Sequence, residues 1–200
     1  MDYLYHGSAV PGITALEARS TLHGTDKQIV YLTDSIPYAL LYIWDGARSG
    51  SPVKHVTAWV EGGAARYEEQ FPHQLERFYQ GVSGWLYRAP KDAAQPVDGR
   101  EGLFYVDGGT PVEGEYIPDV YGELLRHEAA GRLDVLRFIR QTPARQEELT
   151  DLVAQWIVRE GFFREDGIQR AFMQAHFPAA WDRALLNPSS APATPWPKCP

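Results

Sequence analysis

Cysteine is almost missing from this chain. The single one, Cys199, has no partner for an internal disulfide, which suits a reducing cytoplasm and excludes a cysteine-rich metal site. Long apolar runs are missing too. The longest, such as Tyr38 to Trp44, fall far short of the roughly 20 residues that cross a bilayer, so no membrane span is expected. The opening MDYLYHGS lacks the basic start, apolar run and small-residue cleavage site of a secretory signal, and a cytoplasmic location is the expectation. Positive charge is scarce: 19 Lys and Arg against 26 Asp and Glu give a net charge of -7, which phosphate backbones repel. A general nucleic-acid binder is disfavoured, while a local basic groove stays open. His23, His55, His73, His127 and His176 contain no pair at the spacing of a zinc-binding helix, and no metal is expected. Gly62-Gly63 and Gly108-Gly109 mark turns and belong to neither a GxGxxG nor a Walker pattern. No GxSxG elbow accompanies Ser8, and a hydrolase triad is a weak reading.

What is present suits one domain with a full-sized core: 200 residues, 44% of them hydrophobic. Short runs of Val, Tyr, Trp and Phe between glycines and prolines predict strands near 2–6, 28–33, 53–61, 82–88, 103–107 and 112–117. Asp34 or Ser35 caps a helix running to about Gly46, and Pro72 to Gln80 forms a short one ended by Gly81. The segment Ala89 to Gly102 is polar and reads as a mobile surface loop. Beyond residue 118 the period becomes helical. Asp119 caps one helix, Thr142-Pro143 opens another, and Asp166 begins a third that ends before Pro178. The expected organisation is a core over 1–140, a helical extension over 141–187 packed on it, and a flexible proline-rich tail over 188–200. The apolar stripes over 143–177 read as core, with a partner-binding surface as the alternative.

Three strings carry chemistry. Tyr5-His6-Gly7-Ser8 ends the first strand, where a histidine presents ring nitrogens and a glycine lets a ligand approach the backbone; the plain alternative is local packing. Val30 to Tyr42 sets Tyr31 on a strand and Tyr42 on the following helix. Two phenol rings facing one slot suit a flat aromatic ligand, and core packing is the alternative. In Val112-Glu113-Gly114-Glu115-Tyr116-Ile117 the alternation of a strand puts Glu113 and Glu115 on one face. A pair of carboxylates in a cleft can stabilise a developing positive charge; on a solvated edge strand it does nothing of the kind.

Taken in this order, the strings resemble the ADP-ribosyltransferase superfamily, in particular its His-Tyr-Glu branch of diphtheria-toxin-like enzymes and poly(ADP-ribose) polymerases. His6-Gly7-Ser8 is similar to that branch's first motif, Tyr31, Thr33, Asp34 and Tyr42 to its second, and Glu115-Tyr116-Ile117 to its third. The resemblance covers roughly residues 3 to 120 and implies an α+β fold of split mixed or antiparallel sheets, with the C-terminal helices appended. It implies NAD as the substrate. His6 bonds a ribose hydroxyl, Gly7 clamps the carboxamide, Ser8 supports the strand end, Tyr31 and Tyr42 sandwich the nicotinamide, and Thr33 belongs to the same binding motif. Glu115 then stabilises the oxocarbenium-like charge. Glu113, two residues before it, resembles the Glu-x-Glu of arginine-specific relatives and would orient the acceptor. That acceptor is expected to be a protein rather than a nucleic acid; NAD hydrolysis, or NAD or partner binding without catalysis, is the alternative.

Overall fold

The computed structural model describes residues 2–22, 24–46, 56–163 and 167–186. The start of the strand expected from 53, Asp166 as a helix opener, the tail, His23, His55 and Cys199 lie outside the described residues. The fold is α+β. In chain order the strands are β1 (Tyr3–Ser8), β2 (Ala15–Leu16), β3 (Ser20–Thr21), β4 (Gln28–Thr33), β5 (Thr57–Glu61), β6 (Ala64–Glu68), β7 (Gly84–Pro90), β8 (Gln95–Pro96), β9 (Leu103–Val106), β10 (Thr110–Pro111), β11 (Glu113–Ile117) and β12 (Leu133–Leu136). The helices are α1 (Ile36–Leu40), α2 (Gln74–Tyr79), α3 (Val120–Ala129), α4 (Pro143–Glu160), α5 (Ile168–His176) and α6 (Pro178–Leu186).

Two compact units divide the chain. One takes Met1–Asp45, Ala58–Tyr67 and Phe78–Val135; the other takes Gly46–Thr57, Glu68–Arg77 and Leu136–Pro200. The second unit therefore draws two stretches from the N-terminal half, whereas the sequence reading starts its extension at 141.

The first unit is built on a seven-stranded sheet of order β11-β7-β1-β4-β9-β8, with β3 also on β4. Its described pairings are antiparallel. One sheet face buries Leu4, Val30, Leu32, Ala89 and Val106 with Leu16, as period-two alternation requires. β1 pairs with β7 along all six residues, Tyr3↔Pro90 to Ser8↔Trp85. Its pairing with β4 is the single pair Tyr5↔Thr33.

Several expectations are corrected here. α1 stops at Leu40 rather than near Gly46, because Tyr42 and Ile43 donate to the carbonyls three residues back, Ala39 and Leu40, at 2.9 and 3.0 Å. Ile43 is thereby fully buried against Gly7 and Gly84. The segment Ala89 to Gly102 is ordered by pairing rather than loose. β7 continues to Pro90, Lys91 N–H donates to the Asp2 carbonyl at 3.1 Å, and β8 pairs with β9. Some of its polar side chains have partners the composition did not reveal: the Lys91 ammonium lies 4.7 Å from the Phe104 ring centroid, and Gln95 accepts from the Tyr105 hydroxyl. β6 follows Gly62 and Gly63, both at positive φ, and buries Ala65 and Tyr67 without a β-branched residue to signal a strand.

In the second unit α4 is capped by Thr142, whose hydroxyl accepts from Arg145 N–H at 3.2 Å, and ends at Gly161 with φ 70. The apolar stripes of the C-terminal helices are buried: Leu149, Val153, Trp156 and Ile157 on α4, Phe172 and Met173 on α5, Trp181 and Ala184 on α6. Phe71 adds a ring edge-on to Phe172 and Phe177. Glu68 and Glu69 are buried here as well, and both are satisfied. Arg145 donates to both Glu68 oxygens, at 2.9 and 2.7 Å, while Glu69 accepts from Leu75 and Phe138 N–H groups. No helix among the described residues is long and apolar enough to cross a membrane.

Candidate active site

The place where β1 leaves β4 gathers most of the residues singled out in the sequence. Past Tyr5↔Thr33 the connection between the strands is a side chain. His6 Nδ1 lies 3.1 Å from the Tyr31 carbonyl oxygen. A carbonyl only accepts, so Nδ1 carries the hydrogen, and Nε2 is the acceptor of the neutral ring.

Gly7 sits in the next position. A Cβ there would collide with the Ala39 carbonyl oxygen of α1, so the glycine is demanded by close packing of helix on strand. The same oxygen accepts the Tyr42 N–H at 2.9 Å, which ties Tyr42 to the helix end lying over Gly7. Tyr79, itself fully buried, donates its hydroxyl to the Leu41 carbonyl at 2.6 Å and fixes this end further. Burial pushes the Tyr79 phenol well above its ordinary pKa, with the neighbouring Tyr42 adding to the rise, so it remains a donor.

Register places Glu115. Leu86 is the partner of both Gly7 and Glu115, so the three form one row across β1, β7 and β11 and share a sheet face. Two strand spacings separate Gly7 from Glu115, roughly 10 Å. Alternation from Tyr5↔Thr33 carries that face to Tyr31 as well. His6 belongs to the opposite face by the same rule and reaches Tyr31 along the strand edge.

Several of these side chains make contacts of their own. The ring that meets Tyr42 is Tyr38, with centroids 5.3 Å apart and phenol oxygens 2.9 Å apart, while Tyr31 donates its hydroxyl to the Thr21 carbonyl at 3.4 Å. Tyr38 was not singled out in the sequence, although its i, i+4 spacing from Tyr42 is a helical signal. Ser8 and Thr33 use their hydroxyls locally, accepting from Val10 and Ser35 N–H groups at 3.1 Å. Glu113 is held by Arg88, whose Nε and Nη2 donate to it at 3.0 and 2.5 Å. That bond raises the Arg88 pKa further, with Tyr3 and Glu115 contributing. Arg88 escaped the sequence reading because only strand register makes it a neighbour of Glu113. Glu115 makes no hydrogen bond or ion pair among the described residues, and it is exposed. No three His, Cys, Asp or Glu side chains gather as metal ligands among the described residues.

Compared with protein-family models, with curated proteins and with solved structures, the chain matches none.

Proposed function

We propose that this protein is an ADP-ribosyltransferase that cleaves NAD at the nicotinamide-ribose bond and passes ADP-ribose to a protein acceptor in the cytoplasm. The observation that carries the reading is the row Gly7-Leu86-Glu115 beside the point where β1 and β4 separate, with Tyr42 tied over Gly7. It rests also on the resemblance of the three sequence strings to the His-Tyr-Glu branch.

The chemistry asks little of the protein. Nicotinamide is cationic in NAD and departs neutral, so no proton need be supplied to it. The ribose left behind gains positive charge, and a fixed carboxylate such as Glu115 stabilises it. In this reading Nε2 of His6 accepts from a ribose hydroxyl and the Gly7 backbone bonds the carboxamide. Tyr42, braced by Tyr38, stacks on the nicotinamide ring from one side and Tyr31 lines the other. Ser8 and Thr33 hold the backbone around the ring. Exposure of Glu115 favours a second reading, hydrolysis, because water reaches the same carboxylate.

The test is release of nicotinamide from NAD labelled in that ring, with and without cell lysate. Release by the wild-type chain is expected to fall about 10²–10³-fold in Glu115→Ala, the scale of losing one preorganised charge-stabilising group. Label from the adenosine half appearing on lysate protein identifies transfer, and release unaffected by lysate identifies hydrolysis. Wild-type turnover no faster than that of Glu115→Ala sinks both enzymatic readings and leaves NAD or partner binding without catalysis.

A further inference from the structure

β11 is the last strand of its sheet, with β7 as its neighbour in the strand order. Glu113 to Tyr116 are all exposed. An antiparallel neighbour uses every second set of backbone N–H and C=O groups, so the other set on β11 points outward. Prolines bracket this edge at 111 and 118, and Pro118 has no N–H to give, which limits an added ladder to the five residues of β11, about 17 Å.

The two faces of the edge differ in chemistry. One carries Glu113 and Glu115. Arg88 occupies Glu113, and Glu115 is left without a hydrogen bond or ion pair among the described residues. The other carries Tyr116, 52% exposed, its ring 5.4 Å from that of Trp85, which also stacks at 6.3 Å on Tyr87. We infer that the outer edge of β11 docks an extended peptide segment whose side chains alternate basic and apolar, the basic ones meeting Glu115 and the apolar ones meeting Tyr116 and Trp85. Main-chain bonds to the edge supply affinity, and the alternating side chains supply selection.

The charges select against other occupants. A second copy pairing edge to edge brings carboxylates against carboxylates, and a nucleic acid meets Glu115 and a chain of net charge -7. Docking itself needs no NAD. Where the NAD reading above holds, the docked segment is the acceptor, because its basic side chain then lies beside the carboxylate assigned to the reacting ribose; that clause alone rests on that reading.

The experiment uses the full chain without NAD and a synthetic peptide of alternating lysine and valine, about seven residues long to overhang β11. Fluorescence anisotropy measures binding, and hydrogen exchange follows the amides of 113–117. The peptide is expected to bind and to slow exchange there. A glutamate-valine counterpart binds about tenfold or more weakly, since like charges oppose docking. Of two lysine-valine peptides N-methylated at alternate residues, one register binds and the other does not. Tyr116→Ala weakens binding about two- to fivefold, the worth of one cross-strand pair. Unchanged exchange over β11, equal binding of the glutamate peptide, or indifference to both methylation registers overturns the inference. So does a concentration-dependent dimer whose β11 amides are already protected. Nicotinamide release into water, measured with no peptide present, reports on the NAD reading separately.

Discussion

Gly7 lacks a side chain because the Ala39 carbonyl stands where a Cβ would go, and the neighbouring Ile43 leaves no room for either to retreat. Gly7→Ala is expected to destabilise the first unit by about 1–3 kcal/mol through overpacking, read from the urea unfolding midpoint. A midpoint equal to wild type would show that α1 moves away from β1 freely. The residues legible in the sequence at this scale are those whose meaning is contiguous. His6-Gly7-Ser8 reads as one string because a strand end needs only its own neighbours. Glu113 is different: its partner Arg88 stands 25 residues earlier, and only the register of β11 on β7 makes the pair. Tyr42 meets Tyr38 because four residues on a helix bring side chains together at no further cost, and the Tyr31 hydroxyl is engaged with the Thr21 carbonyl.

Among the elements, helix beginnings were readable and so were most ends: Gly81 and Pro178 stand just past α2 and α5, and α1 alone stopped short of its expected end. Thr142 before Pro143 and Asp119 before α3 act as the caps their side chains suit, because a cap is decided within four residues. Thr142→Ala is expected to cost about 1 kcal/mol, measured as a loss of unfolding free energy in urea. A larger loss would mean that the start of α4 supports the Glu68–Arg145 contact as well, since Arg145 N–H is the group that Thr142 caps. α1 ended early for a reason outside its own sequence: Ile43 is buried by the strands beneath it, and the backbone tightens to deliver it there. β6 and β8 were invisible because neither carries a run of β-branched residues, and strands of two different sheets hold them, β12 and β5 beside β6 and β9 beside β8.

At the scale of the whole molecule, each unit holds a histidine, buried in the first and half-buried in the second, whose pKa lies below the ordinary value of 6.5. His127 in the first is lowered by burial and then by the Arg132 charge, and its Nδ1 has no hydrogen-bond partner among the described residues. His176 in the second, stacked on Phe71, is lowered by burial and then by Arg77. Between each folded pKa and 6.5 the unfolded chain binds a proton that the folded chain does not. Stability from these groups is therefore present in full above pH 6.5 and is lost as the pH falls through that window. Unfolding midpoints in urea across this range are expected to drop, and His127→Leu is expected to make the drop shallower. A slope unchanged by that substitution would assign the acid sensitivity elsewhere. The sequence by itself determined the caps of α1, α3 and α4, the strings that hold His6, Gly7, Tyr31, Tyr42 and Glu115, and the acidic balance, because each depends on residues close along the chain or on a sum over it. Only the tertiary structure decided that Gly7 and Glu115 share a row, that Arg88 holds Glu113, and that 68–77 joins the unit of the C-terminal helices, because strand register and long-range packing are fixed by contacts between residues far apart in the chain.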